Sequence, residues 1–271
     1  EYITVDKALT IEGPYTGTDP GSSLDRGNEA VIVPPSVDLS TGILITATAN
    51  NVTIDGLTLN GSNPNISKSL QSARKTSTEG PGLEQDDLPS PSSSALSQNV
   101  ATKASGDINA SSAVYNDQKA GNITVRNSII RNLNNYGVIL GGKSDSHLVE
   151  NNRFDNIPDQ PSGFGRAVDV FDNSYAEVLS NEISNVEVGV YTQNFFESST
   201  EIGSIQIKNN KVSNALLAGV WHNLQYLNAS NTFIENNELL NSGYGVYMTS
   251  IIEPNAFAKE NIVSNSVFGV G

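Results

Sequence analysis

One short segment of the chain brings together side chains that could do acid–base chemistry. Arg166 begins an alternating apolar stretch that carries Asp169 and ends at Asp172. Glycoside hydrolysis uses paired carboxylates, whereas elimination from a uronic acid uses a base such as arginine and a group that neutralises the uronate. These three residues are therefore the candidate catalytic residues. Because the chain has 29 acidic residues, a chance cluster of solvated or salt-bridged charges is the competing interpretation.

A second set of residues could bind a sugar polymer. Two columns of outward side chains follow a recurring valine, one residue per repeat: Ile139, Asp169, Tyr191, Trp221 and Tyr247, then Gly141, Phe171, Gln193, Asn223 and Thr249. Solvent-facing aromatic rings stack on the C–H faces of pyranoses, and amides bond to hydroxyls. We predict that a glycan binds to Asp169, Phe171, Tyr191, Gln193, Trp221, Asn223 and Tyr247. The alternative is that these aromatic rings only stack on each other or lie under a loop.

These columns depend on an internal repeat. Segments such as Asn151-Asn-Arg-Phe-Asp-Asn156 and Asn209-Asn-Lys-Val-Ser-Asn214 align without gaps, and their last asparagine recurs at steps of 24 to 29 residues. Such steps suit one turn of a three-sided solenoid with loops of variable length. The second half of each repeat begins at a motif such as Tyr136-Gly-Val138, Val188-Gly-Val190 or Tyr244-Gly-Val246.

Strand alternation then assigns faces to the repeated positions. We expect two sets of apolar residues to point into the core: Val138, Val168, Val190, Val220, Val246 and Val270, and Ile130, Phe154, Ile183, Val212, Leu239 and Val263. Two asparagine columns should turn corners and stack in ladders. The first column contains Asn132, Asn156, Asn185, Asn214, Asn241 and Asn265. The second begins with Ser128 and continues with Asn152, Asn181, Asn210, Asn237 and Asn261. We expect His222 to point inward beside Thr192, and His147 to be exposed.

The pattern Asn-x-[Ile/Val]-x-Asn followed by Gly-Val resembles the right-handed parallel β-helix repeats of the pectate-lyase-like superfamily. The opening Tyr2-Ile-Thr-Val-Asp-Lys-Ala-Leu-Thr-Ile-Glu-Gly13 is similar to the first coil of many members. The resemblance implies an all-β, single-stranded, right-handed parallel β-helix. It implies little about activity, because the superfamily includes lyases, hydrolases, esterases, epimerases, phage tailspikes and non-catalytic surface proteins. The Asp-Pro-His of alginate epimerases, the Gly-His-Gly and Arg-Ile-Lys of polygalacturonases and the Trp-Ile-Asp-His of pectate lyases are absent.

The repeat is interrupted once. We predict N-terminal coils over residues 1–60, a long Ser/Pro-rich insertion over 61–108 and the main β-helix over 109–271. The insertion includes Pro89-Ser-Pro-Ser-Ser-Ser94 and lacks aromatic residues, so it cannot bury enough apolar surface to offset the entropy of ordering. Because both ends fall within repeat-like sequence, we expect a piece of a longer polypeptide with end-to-end contacts to adjacent coils or domains.

Composition excludes several classes of function. The net charge of −14 repels nucleic acids and anionic membrane surfaces, and no apolar stretch is long enough to span a membrane. Without cysteine there is no disulfide, thiol catalysis or thiolate metal site. We expect no metal or cofactor; Ca²⁺ could neutralise a uronate, but no compact calcium loop is present.

Two functions stay open at this point. The first is a secreted or cell-surface module, structural or adhesive, that binds glycans along the aromatic columns. The second is a polysaccharide-active enzyme, a lyase, epimerase or glycosidase, that works on the same face. An enzyme should have a cleft over the face, walled by loops 158–165 and 196–204, whereas a module should have a flat, open face.

Overall fold

A computed structural model describes residues 2–21, 26–35, 42–66, 108–116, 120–142, 146–158, 165–171, 175–194, 204–224, 231–250 and 256–270. All regular secondary structure in these ranges is β-strand. The strands are β1 (Ile3–Val5), β2 (Leu9–Glu12), β3 (Val31–Ile32), β4 (Ile43–Ala47), β5 (Val52–Asp55), β6 (Thr58–Asn60), β7 (Ser112–Asn116), β8 (Thr124–Arg126), β9 (Ile129–Arg131), β10 (Tyr136–Gly141), β11 (Ser146–Glu150), β12 (Arg153–Ile157), β13 (Arg166–Phe171), β14 (Tyr175–Leu179), β15 (Glu182–Asn194), β16 (Ser204–Lys208), β17 (Lys211–Leu224), β18 (Asn231–Glu235), β19 (Glu238–Leu240), β20 (Tyr244–Ser250), β21 (Ala256–Lys259), β22 (Ile262–Ser264) and β23 (Phe268–Val270).

Each turn of the chain contributes three strands, and every strand pairs in parallel with its counterpart in the next turn. The first strands form an eight-stranded sheet in the order β2-β5-β8-β11-β14-β16-β18-β21. The second and third strands belong to one larger sheet, because β15 and β17 run continuously round the corner between them. The chain is therefore an all-β solenoid, a parallel β-helix, as the sequence predicts.

The repeated Asn-Asn-x-apolar-x-Asn segment turns two corners. In Asn151 to Asn156 the first and last asparagines have positive φ of 52° and 55°, and the same two positions are left-handed in each later coil. Asparagine tolerates this conformation better than other residues with a side chain. The left-handed residues therefore fix both ends of the second strand.

The asparagine after the first corner has a different task. Asn181 is buried, and its Oδ1 accepts hydrogen bonds from the backbone N–H (3.0 Å) and the Nδ2 (3.1 Å) of Asn152 in the preceding coil. Its own Nδ2 donates to the carbonyl of Val149 at 2.9 Å. The same bonds recur at Asn210 and Asn237, so a ladder satisfies backbone groups that the corner would otherwise bury without partners.

The core lies inside the coils and is built from the apolar positions that alternation predicts. Val138, Val168, Val190, Val220 and Val246 are fully buried, as are Ile130, Phe154, Val212 and Leu239, with Ile183 at 1% exposure. Val263 packs against the same cluster from a partly buried position. The side chain of Val270 lies outside the described residues.

Charged side chains on the outer surface alternate in sign from coil to coil. One column of register partners reads Arg153, Glu182, Lys211 and Glu238. Arg153 pairs with Glu182, and Lys211 lies 3.5 Å from Glu238. Opposite charges on adjacent strands attract, whereas like charges repel, so this column favours the observed stacking.

The strands on either side of the predicted insertion are direct neighbours. β4 pairs with β7, β5 with β8 and β6 with β9, and Asn132 Nδ2 donates to Asn60 Oδ1 at 2.8 Å across 72 positions. Most of the insertion, residues 67–107, lies outside the described residues, and the boundaries 1–60, 61–108 and 109–271 stay a prediction.

Candidate functional site

The outward side chains of β10, β13, β20 and the third-strand parts of β15 and β17 form a surface that we call the third-strand face. Register confirms both predicted columns. Ile139, Asp169, Tyr191, Trp221 and Tyr247 stack in one, and Gly141, Phe171, Gln193, Asn223 and Thr249 in the other. A third column, which the sequence analysis missed, contains Tyr136, Arg166, Val188, Ala218, Tyr244 and Phe268.

The Gly-Val motif explains why this third column shares a face with the first. In β13, Ala167 and Val168 both belong to the core. A Cβ added at Gly189 would lie only 2.7 Å from the Val212 side chain, so Gly189 faces the core as well as Val190. Because two consecutive residues point inward, strict alternation breaks, and Arg166 and Asp169 lie on the same outer side.

Arg166 and Asp169 form an ion pair at the centre of the face. The Arg166 Nη1 donates to Asp169 Oδ2 at 2.6 Å, and both side chains are almost completely buried. The guanidinium carbon lies 3.6 Å from the centre of the Tyr191 ring and 5.8 Å from that of Tyr136. The second carboxylate oxygen of Asp169, Oδ1, has no hydrogen-bond partner among the residues that the structure describes.

Burial controls the protonation of this cluster. It raises the pKa of the Asp169 carboxyl, and this effect outweighs the attraction of Arg166. Burial also opposes the charge of the Arg166 guanidinium, but the Asp169 carboxylate holds its pKa above the usual value. The pKa of Tyr136 is raised by burial too. Asp169 is therefore a carboxyl group whose environment favours the protonated form more than water does.

The aromatic rings form a continuous stripe below this pair. Tyr191 meets Trp221 edge to face with ring centroids 4.8 Å apart, and Trp221 lies 5.7 Å from Tyr247. Tyr247 in turn lies 4.5 Å from Tyr244, which stacks on Phe268 at 4.8 Å. Together these contacts make one support in which each ring restrains the next.

Hydrogen bonds join the polar members of the face to the stripe. Asn223 Nδ2 donates to the Tyr191 hydroxyl at 2.9 Å, and its Oδ1 accepts from the Thr249 hydroxyl at 2.9 Å. The Trp221 indole N–H donates to the same Thr249 hydroxyl at 3.4 Å. This series of hydrogen bonds spans three coils. The positions of Tyr191 and Trp221 therefore depend on the ends of β15, β17 and β20.

The expectation that all the aromatic residues of the predicted site face solvent was wrong. Tyr191 is 2% exposed and Trp221 1%, because they pack on each other and on Val188, Ala218 and Tyr247. The remaining buried members of the predicted site are Asp169, Phe171, Gln193 and Asn223. Tyr247 is partly exposed, as are Tyr244 and Phe268 of the missed column. Asp172 and most of loops 158–165 and 196–204 lie outside the described residues.

The two histidines are both buried. His222 points inward as predicted, and its Nδ1 contacts the Thr192 hydroxyl. The expected exposure of His147 was wrong: it is 1% exposed, and its Nδ1 accepts from the backbone N–H of Ile123 at 3.3 Å. It lies at an inward position of β11, because its neighbours on the strand, Ser146 and Leu148, take the outward positions.

Two features of this region were not predicted from the sequence: the outward position of Tyr244 and Phe268, and the burial of Glu187. Tyr244 and Phe268 stand immediately before the Gly-Val motif, and that motif was the signal that could have placed them on the outer face. Glu187 is buried and accepts from the backbone N–H of Gly165 at 2.9 Å, a loop contact that periodicity does not reveal.

Within the described ranges, no three His, Asp or Glu side chains are grouped so that they could hold a metal ion. No helix that is long and apolar enough to cross a membrane occurs there either.

Comparison with known proteins returns a likeness to one solved structure. No family model matches the chain, and no curated protein does. The crystal structure of a hyperthermoactive exopolygalacturonase from Thermotoga maritima is similar to this chain with 15% sequence identity and a TM-score of 0.27. The match covers 82% of this chain and 66% of that one, so this chain spans less than two thirds of the enzyme's length.

Proposed function

We propose that the protein is a secreted or cell-surface β-helix module that binds a polysaccharide along the third-strand face. The observation that carries this proposal is the exposed end of the aromatic stripe, formed by Tyr244, Tyr247 and Phe268. The two tyrosines are partly exposed, and Phe268 stacks on Tyr244 from the following coil. Rings at coil spacing offer successive apolar surfaces to a sugar chain that runs along the solenoid axis.

The buried rings of the stripe, Tyr191 and Trp221, would support the exposed rings and would not contact the ligand themselves. Trp221, which itself packs on Tyr191, contacts the Tyr247 ring, and Tyr244 of the same strand contacts it as well. A ring that is already fixed loses little conformational entropy when a ligand binds. The partly exposed Thr249 hydroxyl lies beside the stripe and could bond to a sugar hydroxyl.

The charge of this surface favours a neutral polysaccharide. Tyr244, Tyr247, Thr249 and Phe268 carry no charge, and the cation of the face, Arg166, is buried against Asp169. The chain as a whole has a net charge of −14. An anionic polymer would therefore be repelled at long range and would find no counter-charge among the described residues at the exposed end of the stripe.

A glycan array that contains neutral and uronate-rich polysaccharides tests this proposal. We expect binding to neutral members and weak or no binding to uronates at about physiological ionic strength. Phe257→Ala provides a matched control for variants of the stripe such as Tyr247→Ala. Phe257 is an aromatic residue that is 55% exposed but belongs to the first-strand sheet. Absence of binding to every neutral polysaccharide would contradict the proposal.

A second candidate function is a polysaccharide-active enzyme, and the Arg166–Asp169 pair is the observation that favours it. A buried carboxyl with a raised pKa is a common form of general acid, and an adjacent guanidinium can bind a carboxylate or hydroxyl of the substrate. This candidate predicts turnover. Product formation, followed as reducing ends and as unsaturated products at 235 nm, should disappear in Asp169→Asn and persist in Phe257→Ala. Binding without turnover would favour the module instead.

A further inference from the structure

We propose that His222 makes the third-strand face sensitive to acid, so that its protonation releases the Trp221–Asn223 segment from the face. This inference deepens the proposed function, on which its biological meaning rests, but its structural content can be tested without any ligand. It concerns the regulation of the same surface.

His222 lies between two residues of the third-strand face on β17. Trp221 and Asn223 point outward from β17, and His222 points inward between them. Trp221 belongs to the aromatic stripe, and Asn223 bonds to both Tyr191 and Thr249. Any movement of the backbone at His222 therefore acts on both outward neighbours.

The surroundings of His222 suit its neutral form only. It is 1% exposed, its register partners are Thr192 and Met248, and the partner of Thr192 in the preceding coil is Val170. Nδ1 contacts the Thr192 hydroxyl, and Nε2 has no hydrogen-bond partner in the described part of the chain. Protonation of both ring nitrogens would place a charge in these surroundings and leave the Nε2–H without an acceptor, which is unfavourable.

Among the residues that the structure describes, no charged residue faces this ring from the elements packed round it. The inward column of the first-strand sheet reads His147, Ala176, Ile205, Thr232 and Ala256, and its titratable member, His147, is in a coil two turns away from the coil of His222. Arg166, Asp169 and Tyr244 lie on the outer side, and the Glu187 carboxylate is bonded to the backbone N–H of Gly165. Burial alone therefore lowers the pKa of His222, to about 4.

The chain can relieve this charge by opening the end of β17. In the opened segment His222 reaches water and recovers an ordinary pKa near 6.5. The equilibrium constant for opening then increases as the pH falls from about 6.5 to about 4. The increase is on the order of 100-fold between pH 7 and pH 4, since each pKa unit is a factor of ten. The same motion exposes Trp221 and breaks the bonds of Asn223.

Hydrogen exchange measured by NMR on the full chain is the test. Protection factors of the Trp221 and Asn223 amides should fall on the order of 100-fold between about pH 7 and pH 4. His222→Gln should abolish this fall, whereas His147→Gln, which removes the other histidine of the chain, should leave it unchanged. The indole N–H provides a further unambiguous probe, because Trp221 is the single tryptophan.

Constant protection in the native protein, or the same fall in His222→Gln, would overturn the inference. If His222→Gln does not fold, the ring signals of the native protein decide: His222 should titrate near pH 4 together with the Trp221 amide, and titration near its ordinary pKa would overturn the inference. Glycan binding at about pH 7 is measured separately. A fall in protection without any binding would contradict the proposed function and leave the acid response standing.

Discussion

The guanidinium carbon of Arg166 lies 3.6 Å from the centre of the Tyr191 ring, one coil away. This contact joins the two halves of the third-strand face, since Arg166 is paired to Asp169 on one side and Tyr191 begins the aromatic stripe on the other. A buried cation over an aromatic face is stabilised most where water is excluded. The ion pair and the stripe therefore form one structural unit.

The first prediction concerns this unit. Arg166→Met leaves the Asp169 carboxyl buried without its cation, and we expect the free energy of unfolding to fall by about 3–5 kcal/mol. Replacing both partners, as in Arg166→Met with Asp169→Leu, should lower the stability much less, because no buried charge is left unpaired. Urea unfolding followed by circular dichroism measures both effects. A double variant less stable than Arg166→Met would show that the pair itself, rather than its desolvation, stabilises the coil.

The second prediction separates the two asparagine columns. Asn181→Gly removes an amide that makes four hydrogen bonds within the ladder, and each buried group left without a partner costs about 1–3 kcal/mol. Asn185→Gly keeps the left-handed corner accessible, because glycine adopts positive φ freely, and loses two part-buried side-chain hydrogen bonds, one to Asp155 and one from Asn214. Thermal unfolding should show a large loss for Asn181→Gly and a small one for Asn185→Gly. Equal losses would mean that the ladder adds nothing beyond the turn.

The third prediction tests the inward glycine of the Gly-Val motif. A methyl group at Gly189 would lie 2.4 Å from the carbonyl oxygen of Gly219 in the next coil, whereas one at Gly269 would meet nothing within 4 Å. Gly189→Ala should therefore lower stability by about 1–3 kcal/mol through forced separation of coils, and Gly269→Ala should be neutral. Chemical denaturation of the two variants measures the difference. A neutral Gly189→Ala would show that the coils separate without strain.

The fourth prediction is a pH dependence of global stability. The folded pKa of His222, about 4, lies below the unfolded value of 6.5, so its neutral form stabilises the fold. This contribution is fully present above pH 6.5 and is lost as the pH falls towards 4, a change of about 3 kcal/mol. Because the chain also has 29 acidic residues, the measurement is the difference in unfolding free energy between the native protein and His222→Gln. A difference that does not change with pH would contradict the prediction.

Most of the architecture follows from the sequence because local rules decide it. Val138 and its equivalents are buried because alternation within a strand fixes their face, and Asn156 and its equivalents turn corners because few other residues tolerate a left-handed conformation. The register of the outward columns follows once the valines are aligned. These features need no knowledge of distant parts of the chain.

The candidate site was less predictable because exposure is not a local property. Trp221 points away from the axis as alternation requires, yet packing against Tyr191 and Tyr247 in adjacent coils buries it. Arg166 joins the same face only because two consecutive residues, Ala167 and Val168, both point inward. Side-chain contacts between coils decide both outcomes, and a pattern along one strand does not report them.

Binding of a neutral polysaccharide at the exposed end of the aromatic stripe is the basis of the proposed function. Isothermal titration with the neutral polysaccharide that binds best on the array tests it most directly, in the native protein, Tyr247→Ala and Phe257→Ala. We predict that Tyr247→Ala raises Kd at least about tenfold, the effect of losing about 1.4 kcal/mol of contact, and that Phe257→Ala leaves Kd unchanged. Unchanged affinity in Tyr247→Ala, or an equal loss in Phe257→Ala, would contradict the claim.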